Sequence, residues 1–215
     1  MALNKNSNMI VGLDIGTSKV VCIVGKYNNE NKLEIVALGA YPSSGLKKGV
    51  VVNIDATTDA ISKAVEQAQS MIEEKIKSVF VGIAGNHIKS LNSQGAVGIR
   101  DKEVTSYDID RVIDSAQAVS IPSDQRVLHV LPQEFVIDGQ EVSLDPLGMS
   151  GVRLEAKVHL VTCANSAIKN IEKCIKNCGL SVDGFVLEQL ASSHSILSSD
   201  EKDLGVCMVD IGGGT

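Results

Sequence analysis

The residues with the most chemistry in this chain occur twice, in the same order. Leu13-Asp14-Ile15-Gly16-Thr17 lies near the start, and Val209-Asp210-Ile211-Gly212-Gly213-Gly214-Thr215 is the last stretch written. In each, an apolar run delivers a carboxylate, then glycine, then a hydroxyl. Glycines let backbone N–H groups approach an anion closely and adopt positive φ, so consecutive amides can converge on phosphate oxygens. Thr17, Ser18 and Thr215 add hydroxyl donors, and Lys19 adds a point charge. A carboxylate beside phosphate is repulsive unless a divalent cation lies between them, so Asp14 and Asp210 imply Mg²⁺ held partly through water. A strand followed by a glycine turn would explain either phrase alone. Two copies point instead to two loops gripping one nucleotide from opposite sides.

Other nucleotide signatures are absent. The chain has no G-x-x-x-x-G-K-[ST], and no G-x-G-x-x-G opens a helix after a strand, which weakens the P-loop and dinucleotide-binding readings. Net charge is −6, without a basic run, and aromatic residues are 3% with no Trp. Nucleic acid is therefore not an expected partner, for want of both an electrostatic footprint and stacking platforms. Five cysteines with no C-x-x-C suggest a reducing compartment rather than a disulfide framework. Cys22 and Cys207 sit in apolar runs and read as core, while Cys174 and Cys178 lie one helical turn apart without further ligands for a metal. Residues 1–8 are polar, with no signal-peptide core, and no stretch reaches the ~20 apolar residues that span a bilayer. A cytoplasmic, soluble chain is expected.

The elements that must position these residues alternate between strand and helix. With 215 residues, 44% of them apolar, the chain can bury a core and add a smaller domain. Residues 9–13 and 20–24 read as strands joined by the first glycine loop as a hairpin, with 33–38 as a third strand. The spacing of Ile61, Ala64, Val65, Ala68, Met71, Ile72 and Ile76 predicts a helix from Asp55 to Ile76, and 78–84 is a strand. A change of texture follows: a weak strand over 87–99, then a helix opened by Thr105-x-x-Asp108 in the manner of a capping box. Strands over 127–137 and 154–162 follow, separated by the turn-rich Asp145-Pro146-Leu147-Gly148-Met149-Ser150-Gly151. Together 86–162 reads as an inserted strand-helix-strand-strand unit. Asn165 then caps an amphipathic helix that Gly179 ends. A strand over 182–187, a short helix over 188–197 and a last strand over 204–209 lead to the second glycine loop.

The two loops, with the helix that precedes the second, resemble the actin, hexokinase and heat-shock-chaperone superfamily of ATP-binding proteins. Three inner segments, Arg126 to Phe135, Leu147 to Arg153 and Leu190-Ala191-Ser192-Ser193, together with Val11 to Val20, resemble the FtsA family of bacterial cell-division proteins within it. The resemblance covers nearly the whole chain after its polar start. It implies an α/β fold, an actin-like core of ribonuclease-H type, with residues 1–85 and 163–215 as the first lobe and 86–162 as a small α+β subdomain for protein interaction and polymerisation.

It also implies roles. Gly16, Thr17, Ser18 and Lys19 would hold the β- and γ-phosphates of ATP. Gly212, Gly213, Gly214 and Thr215 would hold them from the other side, and Asp14 and Asp210 would organise Mg²⁺. Glu188 falls where relatives that hydrolyse ATP position the attacking water, although Gln189 stands where Pro often follows. A helix-start Glu favoured by the helix dipole would also explain it. Met149, Ser150 and Arg153 are candidate interface residues, while Val127, Leu128 and Val130 read as core. The implied function is a scaffold, with slow ATPase activity at most. It polymerises on the cytoplasmic face of the inner membrane at the division site, tethers the FtsZ ring and recruits septum-synthesis proteins. FtsZ contacts and an amphipathic membrane helix are expected beyond Thr215, as is the adenosine side of the cleft. A small-molecule kinase of the superfamily would need an aspartate base in a substrate cleft, and no such constellation is visible. A pilus-assembly adaptor could share the insertion, whereas a rod-shape protein would carry its extra subdomain elsewhere.

Overall fold

The structure is a computed structural model that describes residues 9–142 and 145–215. The chain separates into two compact units, residues 88–165 and the remainder. The core unit begins with β1 (Met9–Ile15), β2 (Lys19–Tyr27) and β3 (Leu33–Pro42), an antiparallel meander. A small hairpin follows, β4 (Leu46–Lys47) with β5 (Val50–Val51). Its tip, Lys48 and Gly49, has positive φ at both residues, as a two-residue hairpin loop requires. Helix α1 (Ile54–Gln69) and strand β6 (Ser78–Ile83) complete this first passage.

The strand period of two decides which side chains face the core. In β1, Val11, Leu13 and Ile15 are buried under the sheet, so Asp14 stands on the opposite face beside its pairing partner Val21. Helix α1 covers the buried face through Ala60, Ile61, Ala64 and Ala68. Contact is close enough that a Cβ on Gly39 of β3 would collide with the backbone at Ala64 and Ala68.

Helix α1 ends at Gln69, seven residues before the spacing predicts. Met71 is exposed, and only Ile76 of the three later apolar residues is fully buried. The Gln69 carboxamide holds the exit loop. Its Nε2 donates to the carbonyls of Ile72 and Glu74, and its Oε1 accepts from the Ile76 N–H. One side chain thus supplies the bonds that a continued helix would have made.

The inserted unit comprises β7 (Ile88–Gly98), α2 (Ser106–Gln117), β8 (Gln125–Ile137), β9 (Gln140–Val142) and β10 (Arg153–Ala164). Its sheet has the order β7-β10-β8-β9. Helix α2 starts with a complete capping box between Thr105 and Asp108. The core is Ile99, Val104, Val112, Ala116, Phe135, Ile137, Leu154, Ala156, Val158 and Leu160. Phe135 and Ile137 carry the buried contribution of β8, and Val130, half-buried, packs against this core, whereas Val127 and Leu128, also expected as core, are only half-buried and stand outside this cluster. Strand β9 is an addition to the expected pattern. It returns from β8 through Asp138 and Gly139, both at positive φ, and the Asp-Gly pair was its sequence signal.

The chain re-enters the core unit through α3 (Asn165–Asn177). Asn165 is the first residue of that helix, and its carboxamide donates to the Ser123 carbonyl, a tie to the preceding loop in place of the expected cap. The far end meets expectation. Gly179 at φ +74°, with Leu180 N–H bonding Ile175 O and Gly179 N–H bonding Lys176 O, forms a Schellman ending. The thiols of Cys174 and Cys178 donate to the Ile54 and Thr58 carbonyls of α1, so the pair links two helices.

Strand β11 (Ser181–Leu187) then pairs parallel to β6, giving a five-stranded sheet of order β11-β6-β1-β2-β3. This mixed sheet flanked by helices, with an α+β insertion, is the actin-like fold that the sequence implies. Helices α4 (Glu188–Ile196) and α5 (Ser199–Leu204) close the described elements. The last expected strand, 204–209, is not formed. Leu204 ends α5, and the residues after it join no ladder. Val209 is 71% and Ile211 86% exposed, and Cys207, expected in the core, is exposed as well. The segment has the apolar composition of a strand, but no described strand pairs with it.

Candidate functional site

Parallel pairing places the carboxyl ends of β6 and β11 beside the first glycine loop, the edge at which open α/β sheets bind ligands. There a cleft of about 620 Å³ has a floor from the open face of the sheet, including Gly12, Val21, Ile23, Phe80, Gly82 and Val186. Its polar rim contains Asp14, Gly16, Thr17, Ser18, Lys19, Glu188, Asp210, Gly212, Gly213 and Thr215. Gly214 lies against the same site, since a Cβ there would come within 2.8 Å of Thr17 Oγ1. The structure therefore brings every residue predicted for nucleotide and cation to one cleft.

The two glycine loops are closed by the same bond. Gly16 N–H donates to Lys19 O at 3.0 Å, and Gly212 N–H donates to Thr215 O at 2.8 Å. The second loop thus has the turn closure of the first, although no strand leads into it. They also touch, because a Cβ on Gly213 would overlap Ser18 Oγ. Only glycine permits that approach.

Thr17 Oγ1 is buried and has no hydrogen-bond partner. Such an orphan costs about 1–3 kcal/mol, and a phosphate oxygen would satisfy it. That atom and the glycine cradle fit a phosphate ligand. Mg²⁺ fits as well. Among the described residues no three His, Cys, Asp or Glu side chains form a metal cluster, but Mg²⁺ commonly takes one or two carboxylates and completes its shell with water and substrate phosphate. Asp14 and Asp210 are a donor set of that kind.

The carboxylates influence one another. Burial raises the Asp14 pKa and Asp210 adds to the rise, opposed by the positive charge of Lys19. Glu188 opens α4, where the helix dipole favours an anion. Burial outweighs this, and with Asp14 and Asp210 nearby it pushes the Glu188 carboxyl up to about 7. Gly82 leaves room for that side chain, since a Cβ there would lie 3.0 Å from Glu188 Cγ. A carboxyl balanced near neutrality beside a phosphate cradle can accept or release a proton at little cost.

Two polar residues of the cleft were not assigned to it from the sequence. Gln189 and Ser192 both line the site, and the Ser192 hydroxyl donates to Asp210 Oδ2 at 3.4 Å. The i, i+4 spacing of Glu188 and Ser192 on a helix was the available signal.

The candidate interface residues belong to the inserted unit. Met149 is 40% exposed, Ser150 is exposed and bridges to Glu103, and the exposed Arg153 pairs with Glu155 at 3.1 Å. Asp138 anchors the same turn by accepting from the N–H groups of Val152 and Arg153.

Comparison with known proteins places this geometry in a family. Residues 85–162 match the family described as the SHS2 domain inserted in FTSA. The chain is 63% identical over 215 residues to "Cell division protein FtsA" of Pseudomonas aeruginosa, covering 100% of this chain and 52% of that protein. The protein of the same name from Escherichia coli K12 is 45% identical over 207 residues, covering 96% of this chain and 49% of the relative. Among solved structures, a "PilM-PilN type IV pilus biogenesis complex" superposes with a TM-score of 0.60 at 14% identity, over 86% of this chain and 49% of that one. That match supports the fold. The chain spans about half the length of the curated relatives it matches, and with identities of this size it belongs to the FtsA family of cell-division proteins.

Proposed function

We propose that this chain is one lobe of an ATP site and that the longer protein is a polymerising cell-division scaffold. The reading rests on the matched pair of closed glycine loops facing one cleft. Gly16, Thr17, Ser18 and Lys19 bind the phosphates on one side, and Gly212, Gly213, Gly214 and Thr215 bind them on the other. Asp14 and Asp210 face Mg²⁺, largely through water. A bound ATP–Mg²⁺ supplies an electrophilic γ-phosphorus with its charge partly neutralised. Glu188, with its carboxyl near neutrality, would orient a water at the cleft and receive its proton.

The lobe comprises 1–85 and 163–215, and 86–162 serves contacts with the next subunit and other division proteins through Met149, Ser150 and Arg153. Binding to FtsZ and to the cytoplasmic face of the inner membrane belongs to the longer protein. Among the described residues no helix is long and apolar enough to cross a membrane. The test is binding of a fluorescent ATP analogue to the full-length protein. Asp14→Ala should weaken affinity about tenfold or more, the effect of losing one charge-assisted contact, and Gly213→Val should weaken it as well by forcing the second loop away from Ser18, with thermal melts confirming that both variants are folded. Wild-type affinity in both variants would contradict the site.

A further inference from the structure

Glu188 and Ser192 stand one turn apart on α4, so they share a face of that helix. Both line the cleft with Asp210, and their effects on it oppose. Glu188 and Asp14 carry like charge and couple to Asp210. Like charge on these groups disfavours a third carboxylate among them. The Ser192 hydroxyl pulls the other way by donating to Asp210 Oδ2 at 3.4 Å. Its neighbours do nothing comparable. Ser193 Oγ donates to Leu190 O and Ser195 Oγ to Ser192 O, the local back-bonding usual for serine in a helix. Ser192 alone among these three directs its hydroxyl across to the second loop.

We propose that Ser192 is a positioning residue that holds the Asp210 carboxylate toward the cleft and thereby lowers the Mg²⁺ concentration needed for nucleotide binding, an inference that rests on the ATP reading above. Ser192 acts through Asp210 and forms no bond to the reacting atoms.

The experiment uses the full-length protein with a fluorescent ATP analogue, titrated with MgCl₂ and repeated in EDTA. Wild type, Ser192→Ala, Ser192→Thr, Asp210→Ala and the Ser192→Ala/Asp210→Ala double variant are compared, each with a thermal melt. Ser192→Ala should raise the half-saturating Mg²⁺ concentration about two- to tenfold, the effect of one hydrogen bond, and leave affinity in EDTA unchanged. Ser192→Thr keeps the hydroxyl and should restore the wild-type Mg²⁺ response. In the Asp210→Ala background, Ser192→Ala should have no further effect, because the two act as a pair. The proposal is overturned if Ser192→Ala weakens binding equally with and without Mg²⁺, or if its effect persists without Asp210. If wild type binds no analogue at all, the ATP reading falls and this inference with it.

Discussion

Glu188 offers the most accessible test at the scale of single residues, because burial and two neighbouring carboxylates raise its pKa from 4.5 to about 7. The folded protein binds this proton more tightly than the unfolded chain does. Stability therefore falls as pH rises from about 4.5 to 7, and the penalty is fully present above the upper value. Glu188→Gln removes a charge that the site disfavours. Its melting temperature should exceed that of wild type at pH 8, and the gain should vanish at and below pH 4.5. An equal difference at both pH values would show that the residue is not titrating in this window. Asp14, Lys19 and the glycines were legible as candidate cleft residues at this scale because the same order of carboxylate, glycine and hydroxyl occurs twice. The orphaned hydroxyl of Thr17 and the bond from Ser192 to Asp210 were not, since both depend on how far apart the two loops lie.

Elements obey their local signals where partners lie within a few residues, as at helix ends, and depart from them where a longer-range bond or pairing decides. The Thr105 capping box and the Gly179 ending form as the sequence indicates. Thr105→Ala should cost about 1 kcal/mol in urea denaturation, with the loss centred on α2 and its buried Asp108. The boundary of α1 was misread because Met71 and Ile72 continue the apolar spacing, and nothing in that spacing reveals that the Gln69 carboxamide takes over the loop. Gly39 has a stricter requirement. Its missing Cβ is where the α1 backbone at Ala64 and Ala68 passes, so Gly39→Ala must push the helix off the sheet. A loss of roughly 3 kcal/mol is expected, and a variant as stable as wild type would show that α1 packs elsewhere.

On the scale of the whole molecule, the inserted unit has a hydrophobic core of its own. Leu154→Ala should destabilise it by about 2–5 kcal/mol. Faster amide hydrogen exchange should be confined to 88–165, and ATP-analogue affinity of the full-length protein should not change. The expected strand over 204–209 shows the limit of reading at this scale. Val206, Val209 and Ile211 have the composition of a strand, but a strand exists only with a partner, and pairing is a property of the assembled chain. The central claim is that two glycine loops grip one nucleotide, and it is tested most directly by amide hydrogen exchange on the full-length protein with and without ATP and Mg²⁺. The account predicts that residues 16–19 and 212–215 gain protection together and lose it together in Asp14→Ala. Protection of one loop alone, or of neither, would contradict it.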